Sequence, residues 1–306
     1  MKSLALRAFG VKFVGMRVLI IGCGYVGLEL GSELLRRGHS VFGMGRGSSP
    51  VGAPPGLGWI SGDVTRPETL LKLPSGYDWV VFCVSSSHGT PADYEAVYHE
   101  GIRNVLAWLR NSPPARFVYT SSTGVYPQND GSLVDESSPV SGTSDTNRIL
   151  IQAEQALLDA CRKDGFPGMV LRLTGIYGPG RGYWLRQFLK GEIRFDEADN
   201  RWLNMIHRED AASGIIAALE RGRPGEIYNV CDDEPVQLLH LLQWLSSTLH
   251  QPMPQARTAG PVTASKRGVT SKRVSNRKLR DECGWVPGYP TFRQGFGREI
   301  SSLPGT

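Results

Sequence analysis

Three glycines set the first chemical expectation. Gly22, Gly24 and Gly27 directly follow the apolar run RVLII (17–21) and open the amphipathic stretch YVGLELGSELLRR. Between a strand and a helix, this GxGxxG spacing reads as a dinucleotide-binding turn. Gly22 permits the tight bend, Gly24 lets the backbone approach a pyrophosphate, and Gly27 lets helix and strand pack closely. Tyr25 and Val26 share the turn, where unpaired N–H groups and the helix dipole favour anions. The end of the second strand then selects the cofactor. An acid there would hydrogen-bond the ribose 2′-OH of NAD, whereas an arginine accepts the 2′-phosphate of NADP. The sequence reads FGMGR (42–46), with Gly45 where the acid is expected and Arg46 after it. NADP is therefore the preferred cofactor, with NAD as the alternative. In GDVT (62–65), Asp63 either hydrogen-bonds an adenine amino group or caps its own loop, and Val64 follows it. Val84 and Ser85, which end the run WVVFCVS, complete the expected cofactor contacts.

These residues need a parallel sheet beneath them. RVLII, SVFGM, WVVFCV, RFVYTS and GMVLRL are short β-rich runs, and amphipathic stretches such as NVLAWLRN lie between them. That alternation predicts an α/β fold, a Rossmann-type doubly wound parallel sheet over residues 16–180. Beyond GPGRG (178–182) the rhythm changes, with helices expected over 183–189, 210–220 and 237–249 and a strand near 202–206. Residues 181–306 are read as mainly a smaller substrate-binding region over the sheet's carboxyl edge. The strand EIYNV (226–230) is its candidate to return to the sheet, and residues 1–15 are a leader of unknown use.

Composition narrows the classes. With 306 residues, 40% of them hydrophobic, the chain can fill a sizeable core. Cys23, Cys83, Cys161, Cys231 and Cys283 are odd in number and widely spaced, which gives neither a disulfide framework nor metal-ligand spacing. A reducing, cytoplasmic location fits, and no metal is expected. No apolar run approaches the ~18 residues of a membrane span, so a soluble protein with no membrane partner is expected. The net charge is +5, and residues 256–280 hold eight basic residues and no acid: Arg257, Lys266, Arg267, Lys272, Arg273, Arg277, Lys278 and Arg280. This run reads first as a solvated face, with an anion site for a phosphorylated substrate as the alternative; without interleaved aromatics or a recognised motif it does not read as a nucleic-acid site.

The ordered set GCGYVG, GHSVFGMGR, GDVT, FVYTSSTGVY, LRLTGIYGPGR, NMIHREDAA, IYNVCDDEPV and GWVPGYP resembles the extended short-chain dehydrogenase/reductase superfamily. Within it, the resemblance is to the NAD-dependent epimerase/dehydratase family, and it covers residues 16–300. It implies a seven-stranded sheet, a small-molecule substrate, compatibility with a homodimer, and hydride transfer to and from NAD(P). It also implies a Ser or Thr after the fifth strand, matched by Ser122, and a YxxxK pair on the next helix. There the Tyr shuttles a proton and the Lys lowers its pKa. Registered on AEQALL, the two positions fall on Thr146 and Leu150 of TNRILIQAEQ, and neither carries the group. Ile21, Gly45 and Tyr98 are further departures from the family pattern.

Arg148 lies between the vacated positions but points about 200° away from both on a helix. A guanidinium is in any case no acid-base catalyst at neutral pH. The stripe Thr146, Leu150, Ala153, Leu157 and Ala160 is expected to face the sheet, with Arg148, Gln152, Gln155 and Asp159 outward. Ser122 and Thr123 are then expected to orient a carbonyl oxygen, and Tyr126 or Tyr177 to supply the proton. His207 reads first as a cap for the helix near Asp210 and second as a further proton carrier. The expectation is an NAD(P)-dependent oxidoreductase or epimerase/dehydratase-like enzyme. It would act at a carbinol or carbonyl carbon of a sugar-like or phosphorylated substrate. The alternative is a non-catalytic NADP-binding redox sensor.

Overall fold

The computed structural model describes residues 15–196, 200–255 and 270–303. The chain begins as β1 (Arg17–Ile21), α1 (Tyr25–Arg36), β2 (Ser40–Gly45), β3 (Gly58–Ser61), α2 (Pro67–Leu70), β4 (Trp79–Phe82) and α3 (Pro91–Tyr94). A π-helical turn, Glu95–Glu100, leads into α4 (Gly101–Leu109). Then come β5 (Arg116–Ser122), β6 (Leu133–Val134), α5 (Asp145–Asp164), β7 (Gly168–Leu173), β8 (Gly175–Tyr177) and α6 (Tyr183–Leu189). The rest comprises β9 (Trp202–Leu203), β10 (Met205–His207), α7 (Arg208–Arg221), β11 (Ile227–Val230), β12 (Val236–Gln237) and α8 (Leu238–Leu249). After the second undescribed segment follow β13 (Arg273–Val274), α9 (Arg277–Cys283) and α10 (Phe292–Ser301).

Seven parallel strands form the sheet, in the order β11-β7-β5-β4-β1-β2-β3. Helices cover both faces, so its central strands are buried and almost wholly apolar: every residue of β4 (WVVF) and β7 (GMVLRL) is buried, Arg172 of β7 being the one charged side chain among them. The chain winds outward to β3 on one side of β1 and to β11 on the other. The crevice at the carboxyl ends of β1 and β4 is the switch point where such sheets bind ligands. One apolar cluster packs α4 and α5 against the sheet, and a second packs α1, α7 and α9 against its other face.

Helix α5 is fixed at both ends by its own sequence. The Ser144 side chain accepts from the Asn147 N–H at 3.2 Å, and Gly165 ends the helix in the left-handed region at φ 65°. The segment beyond residue 180 divides its work. β11, the EIYNV strand, takes the sheet edge beside β7, and α7 packs on α1. In contrast, α6, α8 and α10 enclose a third apolar cluster centred on Leu241, Leu242 and Phe292. The expected leader, but for its last residue, and Arg257, Lys266 and Arg267 of the basic run lie outside the described residues. Among the described residues no helix is long and apolar enough to cross a membrane.

Candidate active site

The glycine turn is built from three different constraints. Gly22 sits at φ +81°, and a Cβ there would lie 2.5 Å from the Val84 Cα, so the ends of β1 and β4 touch through bare backbone. A Cβ on Gly24 would meet nothing nearer than the Gly22 carbonyl at 3.9 Å, which leaves its backbone facing open space. A Cβ on Gly27 would come within 3.1 Å of Ile20, the cost of packing α1 tightly on β1. The N–H groups of Tyr25, Val26 and Gly27 open α1 with no side-chain cap, as an anion cradle requires.

A cavity of about 280 Å³ extends from this turn past Arg46, Asp63, Val64, Val84 and Ser85. At Gly45 a Cβ would lie 2.9 Å from the Trp59 indole, which fills the space an acidic side chain would need. Arg46 is held at the rim by its Nη2, which donates to Ser87 Oγ at 2.7 Å. Asp63 does cap its own loop. Its Oδ1 accepts from the Thr65 N–H at 2.9 Å and the Thr65 hydroxyl at 2.8 Å, while the residue still borders the cavity.

A second cavity, of about 530 Å³, shares Gly22, Gly24, Val84 and Ser85 with the first. Ser122, Thr123 and Gly124, from the end of β5, line it together with Thr146, Asn147 and Leu150 of α5. Trp184 from α6, Trp202, Leu203, Asn204 and Lys272 line it from the C-terminal segment. Thr146 and Leu150 thus face the cleft, whereas Arg148 is exposed and ion-paired with Asp145. Ser122 Oγ accepts from the Gly124 N–H at 3.1 Å, leaving its own proton available to a ligand. Another cavity of similar size, between β11 and α9, is rimmed by Asp135, Glu136, Lys278 and Asp281 and contains none of these groups.

Neither tyrosine expected as proton donor lines the cleft. The 3₁₀ turn Thr123–Val125 carries Tyr126 into the apolar cluster between sheet and α5, where it is fully buried. Its hydroxyl donates to Asn229 Oδ1 at 2.9 Å and accepts from Arg172 Nη1 at 2.9 Å. Burial raises its pKa despite the opposing Arg172. Tyr177 is buried between His207 and Phe296, over a glycine, Gly295, whose Cβ would strike its hydroxyl. Burial, reinforced by Asp232, pushes its pKa up. Both phenols therefore hold their protons away from the cavity.

His207 does not line the cleft either. It caps α7 through Nδ1, which accepts from the Glu209 N–H at 3.3 Å, and burial pushes its pKa down to about 4. The unfolded chain binds this proton near pH 6.5, so stability should be lost as pH falls from about 6.5 to 4, by up to ~3 kcal/mol. His207→Asn keeps a capping side chain without the titration. The melting temperature of this variant should fall less steeply than that of the wild type over that window.

The basic run holds the residue that sequence reasoning missed. Arg277, Lys278 and Arg280 pair with Asp281, Glu226 and Asp233 at the surface, as a solvated face would. Lys272 does not. It is 4% exposed, its Nζ donates to the Tyr126 carbonyl at 3.0 Å and to Thr270 Oγ1 at 2.9 Å, and burial lowers its pKa to about 8. Asn204, Trp184 and Trp202 were likewise passed over, since no local pattern marks a residue that reaches a cleft from a distant loop.

A model of the NAD-dependent epimerase/dehydratase family matches residues 18–231. The chain is 26% identical over 311 residues to a 3-diazoavenalumate denitrifying reductase from a Streptomyces species, covering 93% of this chain and 100% of that protein. It is 30% identical over 249 residues to a 4-hydroxy-2-methyl-3-oxo-4-farnesyl-3,4-dihydroquinoline-1-oxide ketoreductase from Stigmatella aurantiaca, covering 76% of this chain and 73% of the relative. Among solved structures, dTDP-glucose 4,6-dehydratase from Streptomyces venezuelae, determined with NAD bound, shares the fold. The TM-score is 0.81 at 21% identity, over 94% of this chain and 96% of that one. The family match runs from the second residue of β1 to the residue after β11 and so spans the whole sheet; the chain belongs to the NAD-dependent epimerase/dehydratase family and is an NAD(P)-dependent oxidoreductase.

Proposed function

We propose that the enzyme prefers NADP and interconverts a carbonyl and a carbinol on a small molecule that carries an anionic group. The observation that carries this reading is the continuity of the two cavities through Gly22, Gly24, Val84 and Ser85. A dinucleotide lying along the glycine turn then reaches from Arg46 to Ser122. When bound, it supplies or accepts the hydride. The Ser122 and Thr123 hydroxyls orient the substrate oxygen. Trp184, Trp202 and Leu203 offer apolar faces that exclude water and suit a sugar ring or another flat body, and Arg181 beside them suits a phosphate or carboxylate. The free thiols of all five cysteines support a reducing, cytoplasmic setting.

The preference for NADP rests on Trp59, which occupies the space of an NAD-selecting acid, and on Arg46 at the rim. A hydrogen bond to a charged group is worth ~1.5–3 kcal/mol, so Arg46→Ala should weaken NADPH binding by roughly 10- to 150-fold and leave NADH unchanged. Fluorescence titration reads both. Equal affinity for NADH and NADPH in the wild type, unaltered by Arg46→Ala, overturns the preference. For the reaction, NADPH deuterated at the transferable position is incubated with the enzyme and a metabolite extract. Deuterium in a carbinol product is the expected result, and tight NADPH binding with no transfer would favour a redox sensor.

A further inference from the structure

We propose that Lys272, which enters the cleft from the segment leading into β13, is the proton donor and acceptor of this active site. The inference rests on the carbonyl–carbinol reading above and assigns its missing acid-base group. Three observations carry it.

The first is position. Lys272 lines the same cavity as Ser122, Thr123, Thr146 and Leu150. Its Nζ lies 3.0 Å from the carbonyl oxygen of Tyr126, so the ammonium stands beside the short turn that begins at Ser122. In the same lining, Thr146 and Leu150 present no group that releases a proton near neutrality.

The second is that, among the described residues, no carboxylate pairs with this charge. Both acceptors of the ammonium, the Tyr126 carbonyl and Thr270 Oγ1, are neutral, and the third N–H has no acceptor among the described residues. Burying an ammonium without a counter-charge opposes folding. The other cations bordering the cavity lie against aromatic rings, Arg181 at 5.1 Å from the Tyr25 ring and Arg201 at 5.6 Å from that of Trp184. Burial alone holds the Lys272 pKa at about 8, so the group is mostly protonated at neutral pH and gives its proton up readily. Tyr25, which also borders the cavity, is pushed up to about 12 and donates to the Pro179 carbonyl.

The third is fixation of the backbone from two sides. Toward β6, the Gly131 N–H donates to the Ser271 carbonyl at 2.8 Å and the Arg273 N–H to the Ser132 carbonyl at 2.8 Å. Toward β9, Asn204 clamps the segment, its Nδ2 donating to the Lys272 carbonyl at 2.8 Å and its Oδ1 accepting from the Val274 N–H at 2.7 Å. A group that must meet a reacting oxygen within hydrogen-bond reach needs such a mount.

In reduction, the carbonyl carbon gains the hydride released by oxidation of the bound NADPH, and the C=O π pair moves to oxygen. That oxygen takes a proton from Lys272, whose N–H bond breaks to leave a neutral amine. The amine regains a proton from solvent. In oxidation each transfer reverses.

The test combines a readout that needs no turnover with one that does. Competitive acetylation of the full chain across pH 6–11, followed by mass spectrometry of the peptide carrying Lys272, should give a midpoint near 8; ordinary lysines titrate near 10.4. Lys272→Met and Lys272→Arg should bind NADPH as the wild type does, which reports an intact fold. At pH 7 their deuterium transfer should be lower by ~10² to 10⁴. Wild-type transfer should also fall as pH rises through about 8, and the Lys272→Arg residual should not. A labelling midpoint near that of ordinary lysines overturns the proposal. So does transfer by Lys272→Met within threefold of wild type, which leaves the reaction reading standing. Absence of transfer by the wild type overturns the reaction reading and the donor role with it.

Discussion

Arg172→Met should destabilise the protein by about 3–5 kcal/mol, read as a lower urea midpoint at an unchanged slope. Arg172 and Glu154 are each 3% exposed and lie 2.7 Å apart, on β7 and α5. Glu154 also accepts from Ser121 Oγ at 2.5 Å, and Arg172 Nη1 also donates to the Tyr126 hydroxyl. Removing the guanidinium strands a carboxylate in an apolar interior and leaves Tyr126 with one partner fewer. The double variant Glu154→Leu/Arg172→Met removes both charges and should recover most of the loss, because a buried pair is typically near neutral against apolar residues of similar volume. A single-variant loss below ~1 kcal/mol would instead show that water reaches the pair. Ser121 precedes Ser122, so the same network anchors the floor of the cleft.

The second large effect separates two of the three glycines of the turn, Gly22 and Gly24. Gly22→Ala must hold a side chain at φ +81° and place a methyl 2.5 Å from the Val84 Cα and 2.6 Å from its N. The backbone strain alone costs ~1–3 kcal/mol, and relief of the clash must part the ends of β1 and β4. Both stability and NADPH binding should fall, the latter by at least about 100-fold, as expected when ~3 kcal/mol of binding energy is lost. At Gly24 the added methyl meets no protein atom within 3.9 Å. Gly24→Ala should therefore leave the melting temperature unchanged within a degree or two while it obstructs the pyrophosphate. If Gly24→Ala binds NADPH with wild-type affinity, the dinucleotide does not lie along this turn.

The Gly45 substitution shows how a local reading can be sharpened by packing. An absent acid is visible in FGMGR, but that Trp59, fourteen positions on, fills its place is visible only in three dimensions. The face of α5 was legible because 3.6-residue periodicity sorts inside from outside: Thr146, Leu150, Ala153 and Leu157 are buried and Arg148, Gln152 and Gln155 exposed, while Asp159 and Ala160, expected outward and inward, are both half-buried. The same periodicity did not mark Glu154 as buried, since its burial depends on a partner contributed by β7.

By itself the sequence determined the doubly wound sheet, the glycine turn and the side of α5 that meets the cleft. Each is written in short-range patterns of strand, turn and helix that the backbone must obey locally. Tertiary structure alone decided which protic groups reach the cavity. A single 3₁₀ turn after β5 sends Tyr126 into the core, while loop contacts spanning well over a hundred residues bring Lys272 to the turn beside Ser122. Lysines are usually found at the surface, and only the packing of distant segments buries this one in the lining of the cleft.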